Sequence, residues 1–453
     1  MASQAATTDF RTSLRGVSFA PGEPGYDAAR VVFNRIVDRR PAIIARCAGA
    51  ADVIACVAFA REHDLPVSVR AGGHSIAGKA ICDDGLTIDL SAMKGIRVDP
   101  AMRTVRAEPG LTIGEFDRET QAFGLATTMG VISTTGIAGL TLGGGMGWLI
   151  GKHGLACDNV VAMDVVTADG RWLKASEQEN PDLFWGMRGG GGNFGIVTSF
   201  EYRLHSLSTV FGGGVLYPVD QTREVLRFYR DFAFSGPDEL STQMGRICTP
   251  DGTPVIGVAG CYSGSPEDGE KVLAPLRRFG SPVADLFGTM SYLQMQTMFD
   301  PWFPPGRQAY WKANFLHGLP DEAIDIFHRY AMTAPSPYTT GPWLECVHGA
   351  VSRKAPSETA FAHRQHPFNF LVLSSWAEAS EAERNITWTR ECWDAMCPFM
   401  VPGAYVNYLE DEADPHARAA YGANYDRLVA VKDKYDPGNL FRINHNIRPT
   451  ARA

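Results

Sequence analysis

The stretch Val69–Gly78, VRAGGHSIAG, sets a histidine, His74, between a glycine pair and a serine, directly after strand-like sequence. Glycine lets a backbone come close to another group, so the imidazole sits where the chain makes its nearest approach to something. Two further glycine-rich loops, 130–147 and 189–195, share this texture and are also flanked by strand-like runs. Successive backbone N–H groups in such loops form anion-binding nests. From Thr120 to Gly151 there is no charged residue, and within it LATTMGVISTTGIAGLTLGGGMGWLIG carries eight glycines and six Ser/Thr in 27 positions. That composition makes a poor lipid-facing helix and reads as backbone packed around something large, flat and uncharged. A nucleotide cofactor, with its pyrophosphate on the nests and a planar isoalloxazine ring in the uncharged lining, accounts for all three loops.

The remaining composition narrows the classes. The chain has 453 residues, too many for one compact core, which predicts two or three domains. Net charge is −8 with no Lys/Arg cluster, so neither nucleic acid nor an anionic membrane is an expected partner. The N-terminal MASQAATTDFR has no basic n-region and no apolar h-region, so no signal peptide is read and a cytoplasmic location is expected. Nine cysteines at irregular spacing, with no paired CxxC, read as mostly free thiols, and no metal-binding pattern is visible.

Local signals place the motifs. Asp52–His63 reads as a short amphipathic helix. TIGE (112–115) has capping-box spacing, opening a helix that Gly124 closes. Asp169–Gly170 is a hairpin signal, and Asn180–Pro181 reads as a break in the chain. Gly190–Gly195 matches GxGxxG, but the residues after it, IVTSFEYRL, are β-branched and alternating. They predict a strand where a dinucleotide fingerprint needs a helix, so a nicotinamide-cofactor enzyme is weakly supported. After about residue 206, predicted helices (221–234, 266–279, 321–331, 381–396) alternate with strand-like PVIGVAGCY, QAYWKANFL and FNFLVLSSW, a second α+β domain. Its aromatics, among them Trp302, Phe303, Tyr310, Trp311, Trp343 and Trp376, are expected chiefly in the core.

Four stretches, RAGGHSIAG (70–78), 143–170, DLFWGMRGGGGNFGIVT (182–198) and YDPGNLFRINHNI (435–447), carry a resemblance to the FAD-linked oxidases of the vanillyl-alcohol oxidase/PCMH superfamily, and within it to the berberine-bridge-enzyme-like group. They come in that family's order and spacing across essentially the whole chain. The resemblance implies an α+β, two-domain PCMH-type fold: an FAD domain from residues 1–205 and 401–453, with a separate α+β substrate domain, 206–400, between them. It implies cofactor contacts from Arg70, Ala71, Gly72, Gly73, His74, Ser75 and Gly78 in the first loop. In the second it implies Thr134, Thr135, Gly136, Gly139, Leu140, Gly144, Gly145, Gly147 and Trp148. Gly195, Ile196 and Val197 follow in the third, with Tyr408, Asn444 and Asn446 near the C-terminus. In such proteins the histidine of RxGGH bonds covalently to the flavin 8α-methyl, which implies a tether at His74. Many relatives add a cysteinyl link eleven residues before the GGG triplet. Here that position is Ile132, and Cys157 lies beyond the triplet, so a single tether is expected.

The resemblance also suggests catalytic residues. AYVNYLED (404–411) resembles the family's YxNY motif, whose second tyrosine, Tyr408, is the base in many oxidases. A tyrosine near pKa 10 needs donors or positive charge beside it to serve at neutral pH. Asn369 stands where plant relatives carry a catalytic glutamate or glutamine and cannot itself be a base; it is expected to donate to a substrate oxygen or to the tyrosinate. Thr135 falls where relatives gate oxygen, and its valine-like size favours an oxidase. Glu345 and His348 are further pocket candidates, and Asp158 and Asn159 are read as capping the next strand or acting on the cofactor indirectly. The expectation is a covalent-FAD oxidase, monomeric or homodimeric, that takes hydride from a hydroxyl- or amine-bearing carbon of a small metabolite, polyketide or sugar and reduces O₂ to H₂O₂. A flavin dehydrogenase with another acceptor and a silent flavin-binding module remain open.

Overall fold

The computed structural model describes residues 3–338, 340–410 and 414–450. The N-terminal part is two small sheets. In the first, strands Ile43–Arg46, Leu86–Asp89 and Val67–Arg70 run parallel, with Val17–Phe19 antiparallel at the edge. Leu86–Asp89 is buried along its whole length although LTID and VSVR alternate apolar and polar residues, and on the second face the Ser68 and Thr87 hydroxyls pair with each other at 2.9 Å. Helix Ala50–Glu62 packs Val53, Cys56 and Val57 against Leu86 and Ile88. The second sheet is antiparallel, in the order Ile96–Asp99, Thr104–Ala107, Ile196–Arg203, Val160–Val166, Trp172–Ser176. Gly170, with φ of +82°, turns its last hairpin. Strand Ile196–Arg203 leaves the GGGNFG loop directly, so no helix follows that glycine run and the nicotinamide fingerprint is excluded. Asn180–Pro181 does not break the chain as its sequence suggests. Asn180 takes a left-handed φ of 48° and Pro181 opens helix Pro181–Met187, where its missing N–H is harmless. The capping box at Thr112 forms in full, ahead of helix Ile113–Gln121.

The chain then builds a large antiparallel sheet in the order Ala284–Asp285, Thr209–Pro218, Pro254–Tyr262, Leu240–Cys248, Gly341–Cys346, Phe368–Trp376, Gln308–Leu316, with Gly288–Ser291 also paired to Thr209–Pro218. Helices Thr222–Ala233, Pro266–Arg278, Asp321–Thr333 and Ala382–Met396 cover one face. Alternate strand residues such as Met244, Leu344, Phe370 and Val372 point into that layer. Because side chains alternate with period two, the residues between them, Gln243, Trp343, Glu345, Asn369, Leu371 and Leu373, occupy the opposite face. That face meets the N-terminal half: Trp343, Leu371 and Leu373 share a core with Ile132, Trp148 and Phe299.

The C-terminus returns to the first half. Leu428, Val431 and Tyr435 of helix Tyr425–Tyr435, together with Ile447, join Phe184, Phe194 and Phe200 in one core. The two halves are also joined by a buried ion pair. Arg364 donates to both carboxylate oxygens of Asp158, at 2.9 and 2.8 Å, and to Thr359, with neither charged side chain measurably exposed beyond 1%. Asn34 makes a second joint, donating to the carbonyls of Ile76 and Ala309 and accepting from the Ala309 amide. Removing one member of a buried pair strands the other charge, so Arg364→Met is expected to destabilise the fold by about 3–5 kcal/mol in denaturant unfolding. Adding Asp158→Asn should recover part of that loss. A cost no larger than that of an exposed pair, about 1 kcal/mol, contradicts this account.

Candidate active site

The first and second glycine loops meet backbone to backbone. A Cβ on Gly72 would lie 2.4 Å from the Gly136 nitrogen, and one on Gly136 would lie 2.5 Å from the Gly72 nitrogen. Only paired glycines allow that approach, and it carries the second loop under His74. The imidazole Nε2 stands 3.1 Å from the Thr134 hydroxyl, Nδ1 stands 3.4 Å from that of Thr135, and Phe33 stacks on the ring at 3.9 Å. Burial pushes the His74 pKa down to about 4, so at neutral pH the ring is uncharged and one nitrogen keeps its lone pair.

These loops line a cleft of about 290 Å³. Of the residues expected to touch a cofactor, Ala71, Gly72, Gly73, His74, Ser75, Thr135, Gly136, Gly139 and Leu140 line it. So do Gly195, Ile196, Val197, Tyr408 and Asn444. The others do not, for identifiable reasons. Arg70 turns its guanidinium back to the Ala29 carbonyl, and Gly78 packs on Val37. Thr134 reaches the cleft only through His74. The triplet turn packs on protein instead: Gly144 against Phe361 and Tyr405, Gly145 donating to the Tyr405 hydroxyl at 2.8 Å, and Gly147 over the Met129 carbonyl. Trp148 is core, beside Phe299, and Asn446 lies off the lining with its Oδ1 buried and unpartnered.

An FAD fits this lining. The N–H groups of Gly72, Gly73, His74 and Ser75 make no hydrogen bond to a protein acceptor among the described residues, the arrangement of an anion nest. Leu90, Leu140, Ile196 and Val197 supply apolar wall. Each of the nine cysteines is described, and none lines the cleft. Cys157 is fully buried, its thiol pushed up to about 12 by that burial, and it behaves as a small hydrophobe.

The opposite wall of the cleft is the large sheet. Gln243, Glu345 and Asn369 are direct cross-strand neighbours and form one polar row. Asn369 donates to Glu345 Oε2 at 2.6 Å, and Tyr408 donates to Oε1 at 3.0 Å. Glu345 is 3% exposed, and burial raises its carboxyl to about 7 against the pull of those two donors. Tyr408 does not have the environment that a phenol base needs. Burial, and then the carboxylate it faces, hold its pKa well above 10, so it stays a donor. Asn369 likewise serves the carboxyl, although its Oδ1 is buried without a partner. His348 lies off the cleft, bonded to the Leu240 carbonyl, and Asp158 and Asn159 are structural.

The aromatics divide differently from their expected place in the core. Phe303, Trp311 and Trp343, with Phe299, line the cleft, while Trp376 is core and Trp302 donates to the Cys248 carbonyl. Phe299, Phe303 and Gln243 carried no motif that could have singled them out. Glu345 had one signal, a lone charge in the otherwise apolar strand GPWLEC, in register with Trp343. Since the Tyr408 hydroxyl stabilises the Glu345 carboxylate, Tyr408→Phe is expected to move the carboxyl's titration above about 7 in difference infrared spectra. A midpoint that stays in place or falls contradicts this assignment.

Comparison with known proteins agrees with the geometry. Residues 41–176 match the FAD binding domain family, and residues 404–448 match the family described as berberine and berberine like. An FAD-linked oxidoreductase of Dictyostelium discoideum is 32% identical over 452 residues, spanning 97% of this chain and 96% of that one. (R)-6-Hydroxynicotine oxidase of Paenarthrobacter nicotinovorans is 31% identical over 455 residues, at 96% and 97% coverage. Among solved structures, 6-hydroxy-D-nicotine oxidase from Arthrobacter nicotinovorans superposes with a TM-score of 0.89 at 29% identity, covering 97% of this chain and 99% of its own. Chitooligosaccharide oxidase gives 0.87 at 26% identity, covering 98% and 100%.

Proposed function

We propose a function from one premise: the chain belongs to the berberine-bridge-enzyme-like FAD-linked oxidoreductases. It is an FAD-dependent enzyme, and our reading is that it is an oxidase acting on a small molecule with a hydroxyl- or amine-bearing carbon. The observation that carries the reading is Glu345. A buried carboxyl poised near 7, fixed by Asn369 and Tyr408 on the wall facing the cofactor loops, is a general base suited to neutral pH. Glu345 takes the O–H or N–H proton of the substrate while Tyr408 remains protonated and holds the carboxylate's other oxygen. Gly72–Ser75 would hold the pyrophosphate-bearing cofactor, and Leu140, Ile196 and Val197 would flank it. Bound there, FAD would supply a two-electron acceptor for the hydride, with O₂ as the proposed final acceptor, reduced to H₂O₂.

His74 is the proposed single covalent link. Its neutral ring is nucleophilic, held by Thr134, Thr135 and Phe33, and no cysteine lines the cleft. Thr135, small and on the lining, leaves oxygen room to reach the flavin. The oxidase names of the two relatives above support O₂ as the acceptor.

Two measurements test this reading. The mass of the denatured protein is expected to exceed the chain's by one FAD, with yellow colour that stays with the chain. Both should be lost in His74→Ala and kept in Cys157→Ala; colour released on denaturing the parent protein would contradict the tether. After anaerobic reduction, the flavin is expected to reoxidise rapidly in air, and more slowly in Thr135→Leu. Reoxidation that takes many minutes in the parent protein would favour a dehydrogenase.

A further inference from the structure

Glu345 takes hydrogen bonds from two neutral donors, yet among the described residues no Lys, Arg or His stands within ion-pair distance of it. The titratable groups near it are Tyr408, which donates to it, Tyr405, whose hydroxyl accepts from Gly145 and Asn407, and, across the sheet, Tyr229, whose hydroxyl pairs with Thr242; burial holds all three phenols above their ordinary pKa. Two neutral hydrogen bonds do not offset the desolvation of a full carboxylate. Above about pH 7 the carboxyl therefore places in the cleft a negative charge that no adjacent Lys, Arg or His among the described residues pairs with, Lys79 lining the same cleft from the loop side.

The groups beside that carboxyl are rings. Trp343 lies two residues away on the same sheet face, its Nε1 donating to Gln243 at 3.1 Å. Gly245 makes the space its indole occupies, since a Cβ there would meet the ring at 2.0 Å. Phe299 meets Trp343 edge-on at 5.5 Å, and Trp311 meets Tyr408 at 6.2 Å and Phe303 at 6.1 Å. Ring faces attract cations, most strongly when water is excluded. Polar side chains on this wall are few, namely Gln243, Glu345, Asn407 and Tyr408. A sugar carries a hydroxyl on nearly every ring carbon and would need more partners than this wall alone supplies.

We infer that the substrate is a cationic amine on a flat apolar body, with its ammonium against Glu345 and its body along the Trp343 and Trp311 indoles. The inference rests on the oxidoreductase reading above and chooses between its two substrate chemistries, a choice that relatives named for a nicotine derivative and for a chitooligosaccharide leave open.

The test is binding to the purified holoprotein, read from the perturbation of the flavin absorbance. The probes are benzyltrimethylammonium, which cannot lose a proton, benzyl alcohol and cellobiose. At pH 8.5 the quaternary ammonium is expected to bind at least about tenfold more tightly than benzyl alcohol, and cellobiose is expected not to bind. That preference should fade as pH falls below about 7 and Glu345 takes its proton. Glu345→Gln should abolish both the preference and its pH dependence. If that variant does not retain flavin, Trp343→Leu replaces it and should weaken the ammonium far more than the alcohol. Equal binding of the cation and benzyl alcohol, or tight binding of cellobiose, overturns the inference even if the sugar bleaches the flavin and the oxidase reading stands. Selective cation binding supports it even if no amine in a panel bleaches the flavin, an outcome that would count against the oxidase reading alone.

Discussion

The close pass of Gly72 and Gly136 is the constraint on which the site depends. Two backbone segments from different parts of the chain touch at a distance that no side chain permits. Their contact puts His74 over Thr134 and Thr135 and lines the cleft with peptide and small side chains. A methyl at either position would push the loops apart, separate the imidazole from both hydroxyls and change the shape of the cofactor surface. The glycine content between 70 and 147 is therefore partly a geometric requirement of two loops crossing.

The second constraint is strand parity. The large sheet buries one set of alternate residues under its helices and turns the other set to the cleft. Parity decides that Glu345, with Gln243 and Asn369 beside it, faces the cofactor loops while Leu344 and Cys346 face the helices. A one-residue slip of strand Gly341–Cys346 would exchange those roles. Chemistry and stability are thus written into one strand, and the Arg364–Asp158 pair and the Asn34 joint hold that strand's sheet against the loops.

Much of this was legible in the sequence where the signal is local. The capping box at Thr112, the hairpin at Gly170 and the strand after Gly195 follow from residue type and spacing over a few positions. The long strands of the second half follow from continuous apolar runs. The cofactor loops were legible as glycine-rich, but which glycines face the cleft was not, because Gly144, Gly145 and Gly147 earn their place by packing on Phe361, Ala156 and Met129, far away or unremarkable in the sequence. The surroundings of Tyr408 were not legible for the same reason. Its pKa is set by burial and by Glu345, a residue 63 positions earlier that becomes its neighbour only in the folded sheet. Trp311, Trp343 and Phe303 look like any core aromatics until the sheet's orientation is known.

The central claim is that Glu345, with Tyr408 as its donor, takes the substrate's proton. The most direct test is the anaerobic rate of flavin reduction at saturating substrate in Glu345→Gln and Tyr408→Phe, measured side by side at pH 8. Loss of a general base predicts a fall of about 10²–10⁴ in the first variant, while loss of one hydrogen bond to that carboxylate predicts a smaller fall, of about ten- to a hundredfold at most, in the second. The reverse order, with Tyr408→Phe inactive and Glu345→Gln near the parent rate, would contradict the account and return the base to the tyrosine.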